Sequence, residues 1–296
     1  MLKPTDFQHP IVEALPVLGT QAGYLIGFRM WDLESMETEF TVAFLTEDFK
    51  SAKQVFAAPT EVMDWWSAET SVFMLRRDSL EHVDLAFHPL APKIDLPFAA
   101  YALDGNGSTD LMIVGVGIAR FNGTTLERYD LGLDATFRSV AVNEEVVHVV
   151  GEAGVALSIE DAEIHQWPLQ TDSLLNDVVA DSTGFAIAGK SASFRGDGQR
   201  LEQIRVPTDV ENMVAVTTFR GVRYWGADGW GDGYGFFQES PDGFKRLSDE
   251  LPQQLTADDD HLFLSCAAEV YRYDGEAYDG LGLRFVDGDW VLRSIL

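Results

Sequence analysis

Short apolar runs that end in a small residue return along this chain about every forty positions: LMIVG at 111–115, VHVVG at 147–151, FAIAG at 185–189, VRYWG at 222–226 and LFLSC at 262–266. Their last residues, Gly115, Gly151, Gly189, Gly226 and Cys266, stand 36, 38, 37 and 40 positions apart. SVFML at 71–75 and GYLIG at 23–27 extend the series upstream with gaps of 40 and 48, giving seven copies. The longer first gap accommodates the insertion around MWDLESMETEF. A period of this length signals a repeat architecture.

Each unit repeats the same internal order. An apolar strand opens it (RSVAVNE, NDVVADS, MVAVTTF), with Val140, Val178 and Val214 read as equivalent positions. The run ending in a small residue follows, then a third strand that meets a polar turn. Four of those turns carry Asn122-Gly123, Asp197-Gly198, Asp242-Gly243 and Asp274-Gly275, the positive-φ pairs that mark antiparallel hairpins. Four short strands per unit make one propeller blade. The sequence therefore predicts an all-β fold, a single β-propeller of seven four-stranded blades, with six or eight as alternatives. The small residue is expected where strands crowd toward the axis, or where a bulge leaves no room for a Cβ. Stacked blades bury both faces of each sheet, which accounts for the runs of Val, Ile, Leu and Phe.

No segment reads as a helix: TEDFKSAKQVFAAPTEVMDWW lacks a sustained 3.6-residue period, and Pro59 interrupts it. No linker divides the chain, so residues 1–296 are expected to form one domain, with segment 8–20 pairing into the last blade as a closing strand. Hydrophobic residues at 46% and charged residues at 23% leave enough apolar surface for such a core.

Charge narrows the partners. The 48 acidic and 21 basic residues give a net charge of −27, and the pI lies near 4.3. Nucleic acid and anionic membranes demand Lys/Arg-rich surfaces, so neither is expected; a basic protein partner is. Acidity serving solubility alone is the other reading. Cys266 is the only cysteine, which excludes an intrachain disulfide and multi-thiolate zinc, and its apolar run HLFLSCAAEV makes it a buried small hydrophobe. The N-terminus lacks the basic-then-apolar order of a secretory signal, and no run approaches ~20 apolar residues, so a cytoplasmic protein is expected.

The units resemble the propellers of photosystem II assembly/stability factors and the Asp-box repeats of sialidases. EVVHVVGEAGVALSIEDAEIHQW carries Gly151, Gly154, Ser158 and Trp167 of such a blade, and ESPDGFKRL retains Ser240, Asp242 and Gly243 of an Asp-box-like turn. No unit has a complete S-x-D-x-G-x-T-W box, so the resemblance implies architecture, which hosts unrelated functions. Sialidase chemistry would need an Arg triad with Tyr and Glu; Arg29, Arg76, Arg120, Arg138 and Arg223 are available, with nothing to assign them to one pocket.

Catalytic signals are sparse. His9, His82, His88, His148, His165 and His261 show no metal-ligand spacing, and His148 in VVHVV reads as a strand histidine. G-x-S-x-G and Walker motifs are absent. The stretch D-G-N-G-S-T-D at 104–110 spaces Asp104, Asn106, Ser108 and Asp110 like calcium ligands, but Gly115 stands where an EF-hand places its bidentate Glu. A solvated turn is expected, with no metal and no cofactor. Of Trp65 and Trp66, at least one belongs to the core.

The most distinctive local sequence is VRYWGADGWGDGYGFFQESPDGF. Trp225, Trp230 and Tyr234 with Asp228 and Asp232, on a glycine-rich loop, are expected to contact a cationic partner, joined by Asp258 and Asp259 of the acidic run Asp258–Asp260. Capping of the core by those rings is the competing reading. The expected function is a non-catalytic, protein-binding propeller, in the form of an immunity or inhibitor protein that captures a basic toxin, or of an assembly factor. The rival is a glycoside hydrolase or lyase with its site at the mouth of the central channel.

Overall fold

A computed structural model describes residues 10–32, 37–49, 52–68, 70–144, 146–229, 233–286 and 289–295. Among them the strands assort into seven antiparallel sheets that follow one another along the chain. Sheet 1 contains β1 (Pro10–Ala14), β2 (Leu18–Thr20), β3 (Gly23–Asp32), β4 (Thr38–Thr46) and β5 (Ala52–Ala58), and sheet 2 runs from β6 (Asp64–Ala68) through β7 (Ser71–Leu75) and β8 (Ser79–Asp84) to β9 (Ile94–Asp95). Sheet 3 comprises β10 (Ala100–Gly107), β11 (Asp110–Gly115), β12 (Ile118–Phe121) and β13 (Leu126–Arg128); sheet 4 comprises β14 (Phe137–Asn143), β15 (Val146–Gly151), β16 (Ala156–Glu160) and β17 (Glu163–Gln166). Sheet 5 comprises β18 (Leu175–Asp181), β19 (Gly184–Gly189), β20 (Ser193–Gly196) and β21 (Leu201–Ile204); sheet 6 comprises β22 (Asn212–Phe219), β23 (Val222–Asp228), β24 (Gly235–Ser240) and β25 (Gly243–Ser248). Sheet 7 is β26 (Gln254–Ala257), β27 (Leu262–Cys266), β28 (Glu269–Tyr273), β29 (Tyr278–Val286) and β30 (Asp289–Ser294). The chain divides into two compact units, one holding sheets 3 to 6 and the other sheets 1 and 7 with β6–β8.

In the first unit the repeat has a backbone cause. The register of β10, β14, β18 and β22 against the next strand slips by one residue, at Tyr101, Arg138, Asn176 and Val214. Beside the first three bulges the carbonyls of Ala99, Thr136 and Leu174 fold over to accept the N–H groups of Val116, Glu152 and Lys190 at 2.8, 2.9 and 2.8 Å. Those carbonyls cross the glycines that end the apolar runs. A Cβ on Gly115 would stand 2.0 Å from Ala99 O, and one on Gly151 2.1 Å from Thr136 O, so glycine is required by a bulge. Val214 is itself a bulged residue. The strand equivalent of Val140 and Val178 is Val216, which faces Trp225 as they face Val149 and Ile187.

β10, β14, β18 and β22 each end the strand order of their sheet, leaving one edge of N–H and C=O groups without a ladder partner. Side chains from the preceding sheet serve that edge. Asp104 Oδ2 accepts the Val142 N–H at 2.7 Å, and Asp177 Oδ2 accepts the Val216 N–H at 2.9 Å. Asp177 Oδ1 also accepts from Ser139 Oγ at 2.7 Å and from the Val178 N–H at 2.9 Å. Farther out, Asn106 donates to Glu144 O, Asn143 donates to Asp181 O, and Asp181 Oδ2 accepts from Thr218 Oγ1 at 2.6, 2.9 and 2.7 Å. Burial of the Asp177 carboxylate outweighs these donors and pushes its pKa up to about 6.

Between the sheets lie apolar layers. β19 reads FAIAG from residue 185 and is buried throughout, Phe185 and Ile187 packing toward sheet 4 and Ala186 and Ala188 toward Trp225 of sheet 6. Both faces are covered, as the continuous apolar run predicts.

In the second unit, the N-terminal segment corrects an expectation. β1 pairs with β3 of its own sheet, from Pro10 opposite Asp32 to Ala14 opposite Phe28, and sheet 7 is completed by β30 against β29. The cause is length: β3 spans ten residues, β2 covers its first part, and β1 covers the remainder. The N-terminal segment meets sheet 7 without a ladder, through bonds such as Ala14 N–H to Ala267 O at 2.7 Å and Ser265 Oγ to Leu15 O at 2.9 Å and through Ala14 and Val17, which share a buried apolar cluster with Phe263, Val270 and Leu281. The segment read as a failed helix forms β5 and β6, and the Trp65 ring is buried with its indole N–H on Pro16 O at 2.7 Å.

Of the four polar turns, the one at Asp242 is a two-residue hairpin, with Ser240 paired to Gly243, and the other three are longer. Asn122, Asp197 and Asp274 open four-residue loops, their Oδ1 atoms accepting N–H groups two and three residues on, while the glycine that follows takes φ of 90°, 85° and 108°. The β16–β17 turn has two residues, Asp161 (φ 48°) and Ala162 (φ 64°), both in a region that favours glycine or asparagine. Ala162→Gly is therefore expected to stabilise the protein by about 1 kcal/mol and raise Tm by ~2 °C in thermal unfolding; a lowered Tm would contradict the turn assignment. Asp104 and Asp110 serve Val142 N–H and Arg120, so the calcium-like spacing does not converge.

Candidate functional site

Trp225 is not available to a partner. Its side chain is fully buried in the layer against sheet 5, with the indole N–H on Glu239 Oε2 at 3.1 Å and an edge-on contact with Phe244. It stands mid-strand opposite Val216, where residues on both faces of β23 are buried. Asp228 is exposed at the end of β23, and Trp230 and Asp232 lie outside the described residues. Tyr234 is half-buried, its ring covered by the Arg246 guanidinium at 5.3 Å. The aromatic half of the expected surface is thus engaged internally at both described rings.

Asp258 and Asp259 are exposed on the β26–β27 turn, in the other unit. Asp258 does there what Asn122, Asp197 and Asp274 do in theirs: its Oδ1 accepts the N–H groups of Asp260 and His261 at 2.8 and 2.6 Å. It also lines a cleft of about 510 Å³ with Tyr24, Glu47, Asp260 and His261. The Tyr24 hydroxyl lies 3.2 Å from His261 Nδ1, and burial, with Asp258 beside it, pushes the phenol up to about 12.

A larger cleft, of about 990 Å³, opens between sheets 4 and 5. One wall is a cross-strand row on a single face of sheet 4: His148 on β15 stands opposite Ser158 on β16, which stands opposite His165 on β17, with Trp167 just beyond. The Trp167 indole N–H donates to Ser158 Oγ at 2.7 Å, and Ser158 Oγ meets His148 Nδ1 at 2.9 Å. His148 stacks on Phe185 of sheet 5 at 4.1 Å, and the exposed His165 ring stands edge-on to Trp167 at 4.6 Å. Burial drives the His148 pKa down to about 4, which keeps the ring neutral at physiological pH.

Around this wall the turns supply charge. Glu144, Glu160, Asp161, Glu163, Asp181 and Asp197 line the cleft, and no Lys or Arg does among the described residues. Asp197 is held below the usual carboxylate range by the Arg200 and Gln199 N–H groups. Asp181 is also lowered: burial opposes its charge, but hydrogen bonds from Thr183 and Thr218 and the nearby Arg223 outweigh it. Corresponding ends of the sheets supply the acids: Glu144 follows the first strand of sheet 4, Asp181 is the last residue of the first strand of sheet 5, and Asp161 and Asp197 follow the third strands. The sequence shows each turn as an ordinary polar loop; the signal that joins them is the repeat spacing, 38 residues between the matching strand ends Asn143 and Asp181 and 36 between Asp161 and Asp197.

No protein-family model and no curated protein matches the sequence. Solved structures do match by shape. The extracellular domain of a hybrid two-component system from B. thetaiotaomicron aligns with 96% of this chain at TM-score 0.69 and 11% identity, and the chain spans 45% of that one's length. The β-propeller domain of the Trilobed protease from Pyrococcus furiosus, described as having an open velcro topology, aligns over 90% of this chain and 97% of its own at TM-score 0.63 and 13% identity. The chain folds as a seven-bladed β-propeller. The WD40 domain of Neurospora crassa Pan2 is also similar, covering 86% of each chain at TM-score 0.62 and 8% identity. At such identities the likeness extends to the propeller fold alone.

Proposed function

We propose that this propeller is a non-catalytic binding module whose cleft between sheets 4 and 5 receives a basic segment of a partner protein. The observation that carries the reading is the lining of that cleft: six carboxylates, with no Lys or Arg among the described residues. The net charge of −27 adds long-range steering of a cationic partner, and exposed Asp228, Asp258 and Asp259 contribute to that charge. An immunity or inhibitor protein that covers a basic toxin is one form of this role; an assembly factor, as the sequence resemblance implies, is another.

Affinity capture from native lysate tests it, performed at ~0.05 M and ~0.5 M salt, between which the Debye length shortens severalfold. The expected result is a basic partner retained at low salt and released at high salt. Retention that ignores salt, or recovery of acidic partners only, would contradict the proposal.

A further inference from the structure

Two asparagines of this chain precede glycine, Asn106 and Asn122, and both are exposed. A glycine nitrogen beside an asparagine is open to attack the side-chain carbonyl, since no Cβ shields it. The surroundings of the two residues differ. Asn106 lies within β10, where Gly107 pairs with Asp110 across the hairpin, and its Nδ2 donates to Glu144 O at 2.6 Å. The nitrogen that would have to leave is thereby tied to sheet 4. Asn122 opens the β12–β13 loop, and its Oδ1 accepts three hydrogen bonds, from the Thr124 N–H at 3.1 Å, the Thr124 hydroxyl at 2.9 Å and the Thr125 N–H at 2.9 Å. Neither its Nδ2 nor the Gly123 N–H makes a hydrogen bond with any described residue.

Attack on the Asn122 Cγ places negative charge on Oδ1, and donors already aimed at that atom hold the charge more strongly than they hold a neutral carbonyl. We infer that Asn122-Gly123 is a self-modification site, at which the loop promotes deamidation of its own asparagine. The Gly123 nitrogen bonds to Cγ, the Cγ–Nδ2 bond breaks, and the glycine proton leaves with Nδ2 as ammonia. Water then opens the cyclic imide: attack at Cγ gives aspartate, and attack at the main-chain carbonyl gives isoaspartate. The fold already holds aspartate at this place. Asp197 and Asp274 open the corresponding loops of sheets 5 and 7, with the same Oδ1 bonds to N–H groups two and three residues on. Their own N–H groups donate to Arg200 O and Ala277 O, as Asn122 N–H donates to Thr125 O. An aspartate at position 122 keeps every bond that Oδ1 now accepts and adds charge to it.

The test follows ageing of the full chain in mildly alkaline buffer by tryptic peptide mapping. Cleavage after Lys93, Arg120 and Arg128 puts Asn106 and Asn122 in separate peptides. The exchange of NH2 for OH is read by mass, and isoaspartate is scored with an isoaspartyl methyltransferase. In the folded protein Asn122 is expected to deamidate about tenfold faster than Asn106. In urea, where the loop is gone and only the shared glycine counts, the two rates should agree within about threefold. Thr124→Ala removes one exposed hydroxyl donor and should slow Asn122 about threefold in the folded protein while leaving its rate in urea unchanged. Asn122→Asp is expected to match or exceed the wild-type Tm. Equal rates at the two asparagines in the folded protein, a faster Asn106, or a Thr124→Ala protein that deamidates as fast as wild type would overturn the assignment. A Tm of Asn122→Asp several degrees below wild type would overturn the fit of the product.

Discussion

Replacing Asp177 by alanine is expected to lower stability at pH 7 by about 3 kcal/mol, seen as a Tm roughly 6–10 °C below wild type. The Val216 and Val178 N–H groups and the Ser139 hydroxyl lose an acceptor on strand edges that no neighbouring strand can serve. Each such loss costs ~1–3 kcal/mol, only part of which is offset by no longer burying a charge. The pH profile supplies a second signature. Asp177 has a folded pKa of about 6 against an ordinary 3.8, so its contribution is full below the unfolded value and is lost as pH rises through 6. His148, at about 4 against 6.5, contributes above 6.5 and loses that contribution as pH falls through 4. The two oppose each other across pH 4–6.5 with similar size, about 3 kcal/mol each. Wild-type stability is therefore expected to change little over that window, and Asp177→Ala to lose about 3 kcal/mol on acidification from pH 6.5 to 4. A variant within 1 kcal/mol of wild type at pH 7, or one with an unchanged pH profile, would contradict the role given to this carboxylate.

Gly115→Ala is expected to cost at least about 3 kcal/mol or to prevent folding. The new methyl would sit 2.0 Å from Ala99 O and 2.6 Å from Ala100 Cα, both backbone atoms fixed by the bulge and by the Val116 N–H. Gly151→Ala should behave alike, at 2.1 Å from Thr136 O. Gly19, with nothing within 4 Å of its built Cβ, is the control, expected within ~0.5 kcal/mol of wild type by denaturant unfolding. A Gly115→Ala protein as stable as the control would remove the bulge as the reason for the repeat.

These two residues also show what was legible in the sequence. Gly115 and Gly151 announce themselves because a carbonyl folded over the strand at a bulge admits no substitute; at Gly189 and Gly226 other carbonyls, Ala192 O and Pro252 O, crowd the same strand position at 2.6 and 2.5 Å. The sheet count follows from the period at which this position returns. The bulge does not show in the letters: an inserted residue such as Val214 looks like any other strand valine, which displaced the apparent match from Val216. The N-terminal segment pairs within its own sheet because β3 runs ten residues, longer than β2 can cover, and strand length of that kind is not marked by the spacing of the repeat.

The site was less legible than the fold. Trp225 stands next to a glycine-rich loop and reads as part of it, yet it belongs to a strand buried on both faces, where neither polarity nor alternation marks a surface. Asp258 looks like one member of an acidic run, whereas its carboxylate closes its own turn. The cleft between sheets 4 and 5 draws its acids from four separate turns. Only the superposition of equivalent turns in neighbouring sheets brings them together.

Calorimetric titration of the captured basic partner into wild-type protein and into the Glu160→Gln, Asp161→Asn, Glu163→Gln variant, repeated across salt concentrations, tests the acidic-cleft account most directly. The account predicts an affinity about tenfold lower for the variant at ~0.05 M salt and a shallower salt dependence, as charges leave the interface. Identical affinities and identical salt slopes for the two proteins would contradict it.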